Sequence, residues 1–343
     1  MKIEIEDNKF IEFDDADILF FYGQNQKIAQ EFVRSLKRFA NKKSLTNLEE
    51  LVYGENGIEI YRNDQLLKAG SINIHFLQDS FSLFEEVSFE KNSLMTEYLA
   101  TLAESIDINI ELQKIENHLL KIESIFNQHL KKVSNNISSN LSSLTYTELL
   151  KNNIFLSYTS GSHDFPLEMM DANEFVDEYL GLLEKSLENT PKETWISLVN
   201  LASFLTAEKI QVLIDGLVQL AEKTGLVHIF VISQIPLGIN YRPNDIPNTI
   251  ILADELCQMP NFDSFRNSIE NHYPGDLNMT DDQLCQNFYE IVADIGDNNI
   301  LTGKSYQDIV LLKVLDEILG FKVTNFTYNL KELTNAERAY LDS

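Results

Sequence analysis

The turn that follows the first strongly apolar segment has residue types that could bind a phosphate group. It runs from Gly23 to Ile28 with the sequence Gly-Gln-Asn-Gln-Lys-Ile. A working phosphate loop needs a second glycine and, after its lysine, a Ser or Thr whose hydroxyl holds Mg²⁺. Here Ile28 takes the place of that residue, and Asn200 stands where a neighbouring strand would supply an acid. We therefore interpret Gly23 and Lys27 as a degenerate phosphate loop, and we expect neither a bound nucleotide nor enzymatic activity.

The histidines and the remaining polar clusters lack the spacing of a catalytic or metal site. No two of the six histidines are four residues apart, which is the spacing of a helical metal motif. The stretch Ser160–His163 lacks the strand-to-helix elbow that exposes a nucleophile, so we interpret it as a loop before Pro166.

Two groups of basic residues could bind the phosphate backbone of a nucleic acid. The first lies on and just beyond the helix predicted after the turn, and the second lies on a long predicted helix. Such side chains bind phosphates without reading base sequence. The alternative is that they form an ordinary solvated helix surface. The candidates are Arg34, Lys37, Arg38, Lys42 and Lys43 in the first group, and Lys114, Lys121, Lys131 and Lys132 in the second.

The overall charge restricts how such a surface could work. The chain has 27 Lys and Arg against 53 Asp and Glu, a formal net charge of -26. No third of the sequence is basic, so any DNA-binding surface must be a local patch on an acidic protein. Because the Debye length is roughly 8 Å at physiological salt, a local patch can act while distant acids are screened.

The elements that must position these residues alternate between strands and helices. The apolar run Asp17–Tyr22 predicts a buried strand, and a helix follows to about Phe39. Trp195–Val199, a helix capped by Thr206, and Leu226–Ile232 predict a parallel strand–helix–strand unit. We therefore predict an α/β fold, with a P-loop-NTPase-like head built on a mostly parallel sheet.

A long helix interrupts this pattern. Apolar residues recur every three or four positions from Ile108 to Val133, with His129 as the only exception. Such a heptad pattern predicts a long helix packed against another, and Leu94–Ile106 is the predicted partner. We call this row the apolar seam; its positions are Ile108, Leu112, Ile115, Leu119, Ile122, Phe126, His129 and Val133.

The pattern divides the chain into four segments. Residues 1–84 are predicted as the first part of the α/β head, and 85–152 as an inserted helical leg. Residues 153–256 are predicted as the second part of the head, and 257–343 as a C-terminal helical extension. The best helices of the extension are Thr280–Ile295 and Ser305–Leu319, the latter closed by Gly320.

The compartment is predicted from what the sequence lacks. There is no run of about 18 apolar residues and no basic-then-apolar signal order at the N-terminus. The two cysteines, Cys257 and Cys285, are therefore expected to be reduced. We expect a cytoplasmic protein.

The stretch Val199–Thr206, with the sequence Val-Asn-Leu-Ala-Ser-Phe-Leu-Thr, resembles the Csn-two family, the small Cas protein specific to type II-A CRISPR loci. Members show a strand, then Val-Asn, a short link to Phe-Leu-Thr, a helix, and a second strand ending near Pro. The degenerate turn, the inserted leg and the stretch Asp245–Asp254 agree with the family in order. The resemblance covers about residues 1–256, and residues 257–343 match the extension of the long streptococcal form.

The resemblance implies a homotetrameric ring whose positively charged hole holds linear double-stranded DNA, bound at its free ends. It implies a non-catalytic role in spacer acquisition, the adaptation step of CRISPR antiviral defence, beside the CRISPR integrase and the RNA-guided effector nuclease. It also implies calcium bound near the head–leg junction. The matching stretch, residues 144–150, holds only Glu148, so the calcium ligands are not matched.

Two other functions remain open from the sequence. The first is a protein scaffold that docks the integrase and the effector nuclease through its acidic surface without binding DNA. The second is a cryptic NTPase that uses Lys27, against which Ile28 and Asn200 argue.

Overall fold

The chain forms two compact units. The computed structural model describes residues 1–41, 43–253, 256–296, 304–321 and 335–341. We call Met1–Ser82 with Pro191–Ser343 the sheet unit, and Leu83–Thr190 the helical unit. The predicted leg, residues 85–152, falls within the helical unit. The described part of the predicted C-terminal extension falls within the sheet unit.

Groups of strands and groups of helices follow one another along the described residues. None of these helices is long and apolar enough to cross a bilayer. The strands are β1 Lys2–Glu6, β2 Lys9–Glu12, β3 Ile18–Tyr22, β4 Ile60–Arg62, β5 Gln65–Leu66, β6 Ile72–Leu77, β7 Ser157–Ser160, β8 His163–Pro166, β9 Glu193–Val199, β10 Val227–Ser233, β11 Thr249–Leu252 and β12 Leu256–Gln258. The helices are α1 Gln26–Ala40, α2 Asn47–Tyr53, α3 Ser80–Val87, α4 Leu94–Thr101, α5 Ile106–Leu130, α6 Tyr146–Asn153, α7 Ala172–Asn189, α8 Ala207–Thr224, α9 Phe262–His272, α10 Asp281–Ile291, α11 Tyr306–Leu319 and α12 Asn335–Leu341.

A six-stranded sheet forms the centre of the sheet unit. Its strand order is β12-β11-β3-β10-β9-β6, and only β12 runs antiparallel to its neighbour. The first parallel strand, β3, lies between the last two, β10 and β11. The predicted α/β class with a mostly parallel sheet and additional helical parts is confirmed.

Aromatic packing holds α1 on one face of this sheet. The ring of Phe32 in α1 lies 4.8 Å from that of Phe21 and 5.9 Å from that of Phe230. Phe39 stacks on Trp195 near the other end of the helix. These residues are all at most 6% exposed, so the position of α1 is fixed by the core.

The described helices after residue 257 share a core with the sheet. The Tyr22 and Tyr241 hydroxyls hydrogen-bond to each other, and the Tyr241 ring stacks on Tyr289 of α10 at 3.5 Å. The Tyr289 hydroxyl in turn lies 2.6 Å from that of Thr249 in β11. Burial raises the pKa of the Tyr289 hydroxyl well above its usual range, so this polar chain stays neutral.

A second, four-stranded sheet, β2-β1-β4-β5, completes the sheet unit and was not predicted. Its first two strands pair antiparallel, and Ile3, Ile5 and Ile11 are buried, whereas Glu6, Lys9 and Glu12 are exposed. The alternation of apolar and charged residues along β1 is typical of a half-buried strand and could have been read from the sequence.

The long helix of the predicted leg is present as α5, but its predicted long partner is not. The segment 94–106 forms the eight-residue helix α4 and a short 3-10 turn at Leu102–Glu104. These elements are too short to cover the 25 residues of α5, and no residue of α5 is buried. The predicted helix Leu94–Ile106 is therefore not continuous, and it lines the seam only at the start of α5, through Leu99 and Leu102.

Asp316 of α11 is a buried carboxyl group whose charge opposes folding. One oxygen accepts a hydrogen bond from the Gly296 amide at 2.9 Å, and the side chain is fully buried. Burial raises the pKa of Asp316 from 3.8 to about 6. Because the folded-state pKa lies above the unfolded value, this carboxyl contributes stability below about pH 4 that is lost as the pH rises towards 6.

We expect Asp316→Asn to remove this pH dependence, because the amide oxygen can still accept from Gly296 and carries no charge. As the pH is raised from about 4 to about 7, the parent should lose about 2 kcal/mol of unfolding free energy relative to the variant. Urea unfolding at several pH values measures this difference. A difference that stays constant over the range contradicts the prediction.

Candidate nucleic-acid interface

The predicted phosphate turn is closed against the sheet. Gly23 has a φ of +145°, and a Cβ there would lie 2.3 Å from the carbonyl oxygen of Leu252, so only glycine fits. The Asn25 amide donates to the same carbonyl, and its side chain donates to the carbonyl of Ala253. Lys27 is exposed and lies 3.7 Å from Glu31. The turn thus directs the Asn25 amide to the end of β11, whereas a phosphate loop points its amides towards a ligand.

The stretch that carries the family resemblance forms a strand, a tight turn and a helix. β9 ends at Val199, and Asn200 adopts a left-handed backbone with a φ of +51°. Its amide donates to the carbonyl of Ile232, which ties it to the next strand. The Thr206 side chain then accepts from the Lys209 amide and begins α8, as the sequence predicted.

Three residues of the first basic group have exposed side chains on the outer face of α1 or just beyond its end. Arg34 is exposed and makes no ion pair with the part of the chain that the structure describes. The Lys37 ammonium lies 2.6 Å from the side-chain oxygen of Gln78 and 5.4 Å from the centre of the Phe76 ring. Lys43 is exposed beyond the helix, and Lys42 lies outside the described residues. We call Arg34, Lys37 and Lys43 the α1 patch.

Arg38 differs from its neighbours because its guanidinium is used within the protein. The side chain is 10% exposed and lies 3.2 Å from the Glu49 carboxylate of α2. Its two terminal nitrogens donate to the carbonyl oxygens of Asn41 and Lys43. Arg38 thereby holds the segment that joins α1 to α2.

We expect Arg38→Ala to lower the unfolding free energy by about 2 kcal/mol, because it leaves Glu49 and two carbonyl oxygens without their partner. The variant should bind DNA with an unchanged salt dependence, since Arg38 is not free to contact phosphate. Urea unfolding and a salt titration of DNA binding test the two halves. A reduced salt slope in a fully folded variant would place Arg38 among the DNA-contacting residues.

The second basic group lies on the exposed surface of α5 and the turn after it. The Lys114 ammonium is 2.7 Å from the Glu111 carboxylate. An exposed ion pair of this kind contributes little to stability. Lys121, Lys131 and Lys132 are exposed. Two histidines that we did not count among the basic residues, His118 and His129, are also exposed on this helix. Their helical spacing relative to the lysines could have been read from the sequence.

The apolar seam of α5 is largely uncovered in this chain. Ile122 is 43% exposed, Phe126 is 55% exposed and Val133 is 87% exposed. Towards the start of α5, the seam forms an apolar groove of about 420 Å³ with α6. Leu112 and Ile115 of α5 and Leu149 of α6 line this groove. Monomeric proteins rarely expose an apolar surface of this length.

The stretch that corresponds to the calcium ligands of the family does not fit a calcium ion. Glu148 is the only acid among residues 144–150, and its carboxylate accepts from both the amide and the hydroxyl of Thr145 at 2.9 Å. Calcium takes six to eight oxygen ligands. Across the described ranges, no three His, Cys, Asp or Glu side chains are grouped so that they could hold a metal ion.

The fold of the chain is similar to that of Stu0660 of Streptococcus thermophilus, whose crystal structure is known. The TM-score is 0.83 with 17% sequence identity, over 97% of this chain and 97% of that chain. At this identity the similarity establishes the fold alone. The coverage extends well beyond residue 256, so the region after the predicted head has a counterpart in that structure. No protein-family model and no curated protein matches the sequence.

Proposed function

We propose that the protein is a non-catalytic ring protein that binds linear double-stranded DNA at its free ends, without sequence preference, during CRISPR spacer acquisition. The observation that carries the proposal is the clustering of exposed cations on two helices of a chain whose net charge is -26. Lysines and arginines that neutralise phosphates release counterions, which gives affinity that does not depend on sequence.

The α1 patch and the second basic group, on α5 and the turn after it, are suited to this role. Arg34 and Lys37 are one helical turn apart and both are exposed, so one DNA strand can contact both. Where copies of the chain surround one duplex, each modest patch is repeated, and the acidic remainder of each chain disfavours other nonspecific contacts.

The uncovered seam of α5 supports self-association. The heptad pattern requires a helical partner, and in the described residues no second long helix covers it. A second copy of the chain supplies the same seam, and a closed ring needs such repeated contacts. We propose a homotetramer, as the family resemblance implies.

The resemblance at Val199–Thr206 extends the proposal to the setting in which the protein acts. The partners are the CRISPR integrase and the RNA-guided effector nuclease, and the compartment is the cytoplasm. The fold shared with Stu0660 is compatible with this assignment. No calcium site is part of the proposal, because the carboxylate of Glu148 is used to begin α6.

A salt-titrated gel-shift assay with a linear duplex and the same duplex as a closed circle tests the proposal. We expect binding to the linear form only, by a species of four chains, with affinity that falls steeply with salt. Equal binding to the circle would exclude threading through a ring and leave a surface patch. Binding to neither form would exclude the DNA function and favour the protein scaffold.

A further inference from the structure

Five of the six exposed basic residues on α5 and the turn after it lie in one row, and Lys131 lies outside it. Their successive spacings are 4, 3, 8 and 3 residues, and at about 100° per residue all fall on one face of the helix. All five are exposed. Lys132 lies in the turn that follows α5. The residue before it, Lys131, still has a helical backbone conformation, so Lys132 continues the spacing of the helix. We call this row the basic stripe; it consists of Lys114, His118, Lys121, His129 and Lys132.

Two of the five members are histidines, so the charge of the stripe depends on pH. Histidine is the side chain whose ordinary titration lies between about pH 5 and 8. Protonation of both imidazoles raises the number of cations in the stripe from three to five. The stripe is about 27 Å long, so it can follow a DNA backbone over several phosphates.

The acids around the stripe leave the two imidazoles available. Neither His118 nor His129 lies within 4 Å of a carboxylate in the part of the chain that the structure describes. Glu116 and Glu123 lie on the other side of α5, and Glu123 accepts from the amide of Leu141. Residues 134–144, which contact α5 through Asn127, carry no charge. The remaining charged groups on and around α5 are Glu111, which pairs with Lys114, and Lys131, Asp107, Glu104, Glu148 and Lys151.

The basic stripe and the apolar residues of the seam occupy different faces of α5, and His129 lies at the border because it belongs to both rows. At about 100° per residue, the middle of the stripe lies roughly a quarter turn from the middle of the seam. A second copy that covers the apolar residues of the seam therefore leaves Lys114, His118, Lys121 and Lys132 in solvent, with His129 at the edge of the contact.

We propose that His118 and His129 are phosphate-contacting residues of the basic stripe, and that their protonation strengthens the binding of double-stranded DNA as the pH falls. This inference rests on the proposed DNA-binding function and adds a pH dependence to it. At acidic pH each protonated imidazole donates to a phosphate oxygen and releases one counterion. At alkaline pH the two histidines contribute neither charge.

The test is a salt titration of binding to a linear duplex at about pH 6 and about pH 8. Each phosphate contact contributes about 0.9 to the slope of log K against log salt, so two more contacts per chain steepen it by nearly 2. Raising salt from about 50 to about 200 mM should then cost about tenfold more affinity at the lower pH for each bound chain. Binding with the same affinity and slope at both pH values overturns the inference while leaving the DNA function intact.

Variants assign the effect to the two residues. His118→Gln with His129→Gln should retain the affinity of the parent at pH 8 and show no gain at pH 6. His118→Lys with His129→Lys should bind at pH 8 as tightly as the parent at pH 6. His163→Gln, an exposed histidine of β8, should behave as the parent. If the double glutamine variant keeps the pH dependence of the parent, other groups are responsible. If the parent binds no DNA at either pH, both the inference and the proposed function fail.

Discussion

Replacing Arg34 and Lys37 together by glutamate should lower the affinity for a linear duplex on the order of 100-fold at about 0.1 M salt. Each substitution removes one phosphate contact and places a carboxylate against the DNA backbone. The slope of log K against log salt should fall by about 2 for each bound chain, because two counterions fewer are released. Both side chains are exposed, so the fold should be retained. A salt-titrated gel-shift assay with the parent and the variant measures both quantities.

A matched control separates a local patch from the effect of net charge. Lys91→Glu with Lys223→Glu changes the charge by the same amount at two exposed positions outside both basic groups. This control should lower the affinity by no more than about threefold. Charges that lie farther than roughly one Debye length from the bound DNA are largely screened. Equal losses in the two double variants would mean that only the net charge of the protein matters. An unchanged affinity of the Arg34 and Lys37 variant would remove the α1 patch from the DNA interface.

The main elements of the sheet unit could be predicted because their sequence patterns are local. The apolar run of β3 is followed at once by the turn and by α1, whose buried residues recur at helical spacing. Val199 to Thr206 likewise defines the end of β9 and the start of α8. The strand β5 and the helix α2 are short, and a pattern of two to seven residues gives little periodicity to detect.

The candidate site was predicted less well, because exposure and ion pairing are properties of the fold. Arg38 and Lys37 are neighbours in the sequence, yet only Arg38 faces Glu49. That carboxylate comes from α2, which the sequence did not predict. Because His129 was assigned to the apolar seam, its place beside the lysines was also missed.

Heptad periodicity predicts a helix that must be covered, but it does not say which chain covers it. The sequence correctly indicated a long helix at α5, but the predicted partner, segment 94–106, is too short and lines only the start of the seam. The same pattern appears whether the partner helix belongs to the same chain or to another copy. Phe126 and Val133 are exposed in the structure, in agreement with the proposed contact between the seams of two copies.

Replacing Ile122 and Phe126 by serine should therefore dissociate the assembly without unfolding the chain. Both side chains are largely exposed in one chain, so their loss removes little intrachain burial. In an assembly that covers the seam, losing two buried apolar side chains per copy costs about 3 kcal/mol or more, at least about 100-fold in the dissociation constant. Mass measurement over a dilution series, with circular dichroism in parallel, records both effects. Leu120→Ser with Ile125→Ser is the matched control, since these residues are similarly exposed on α5 but lie off the seam. Dissociation by the control alone, or by neither variant, would exclude the seam as the contact between copies.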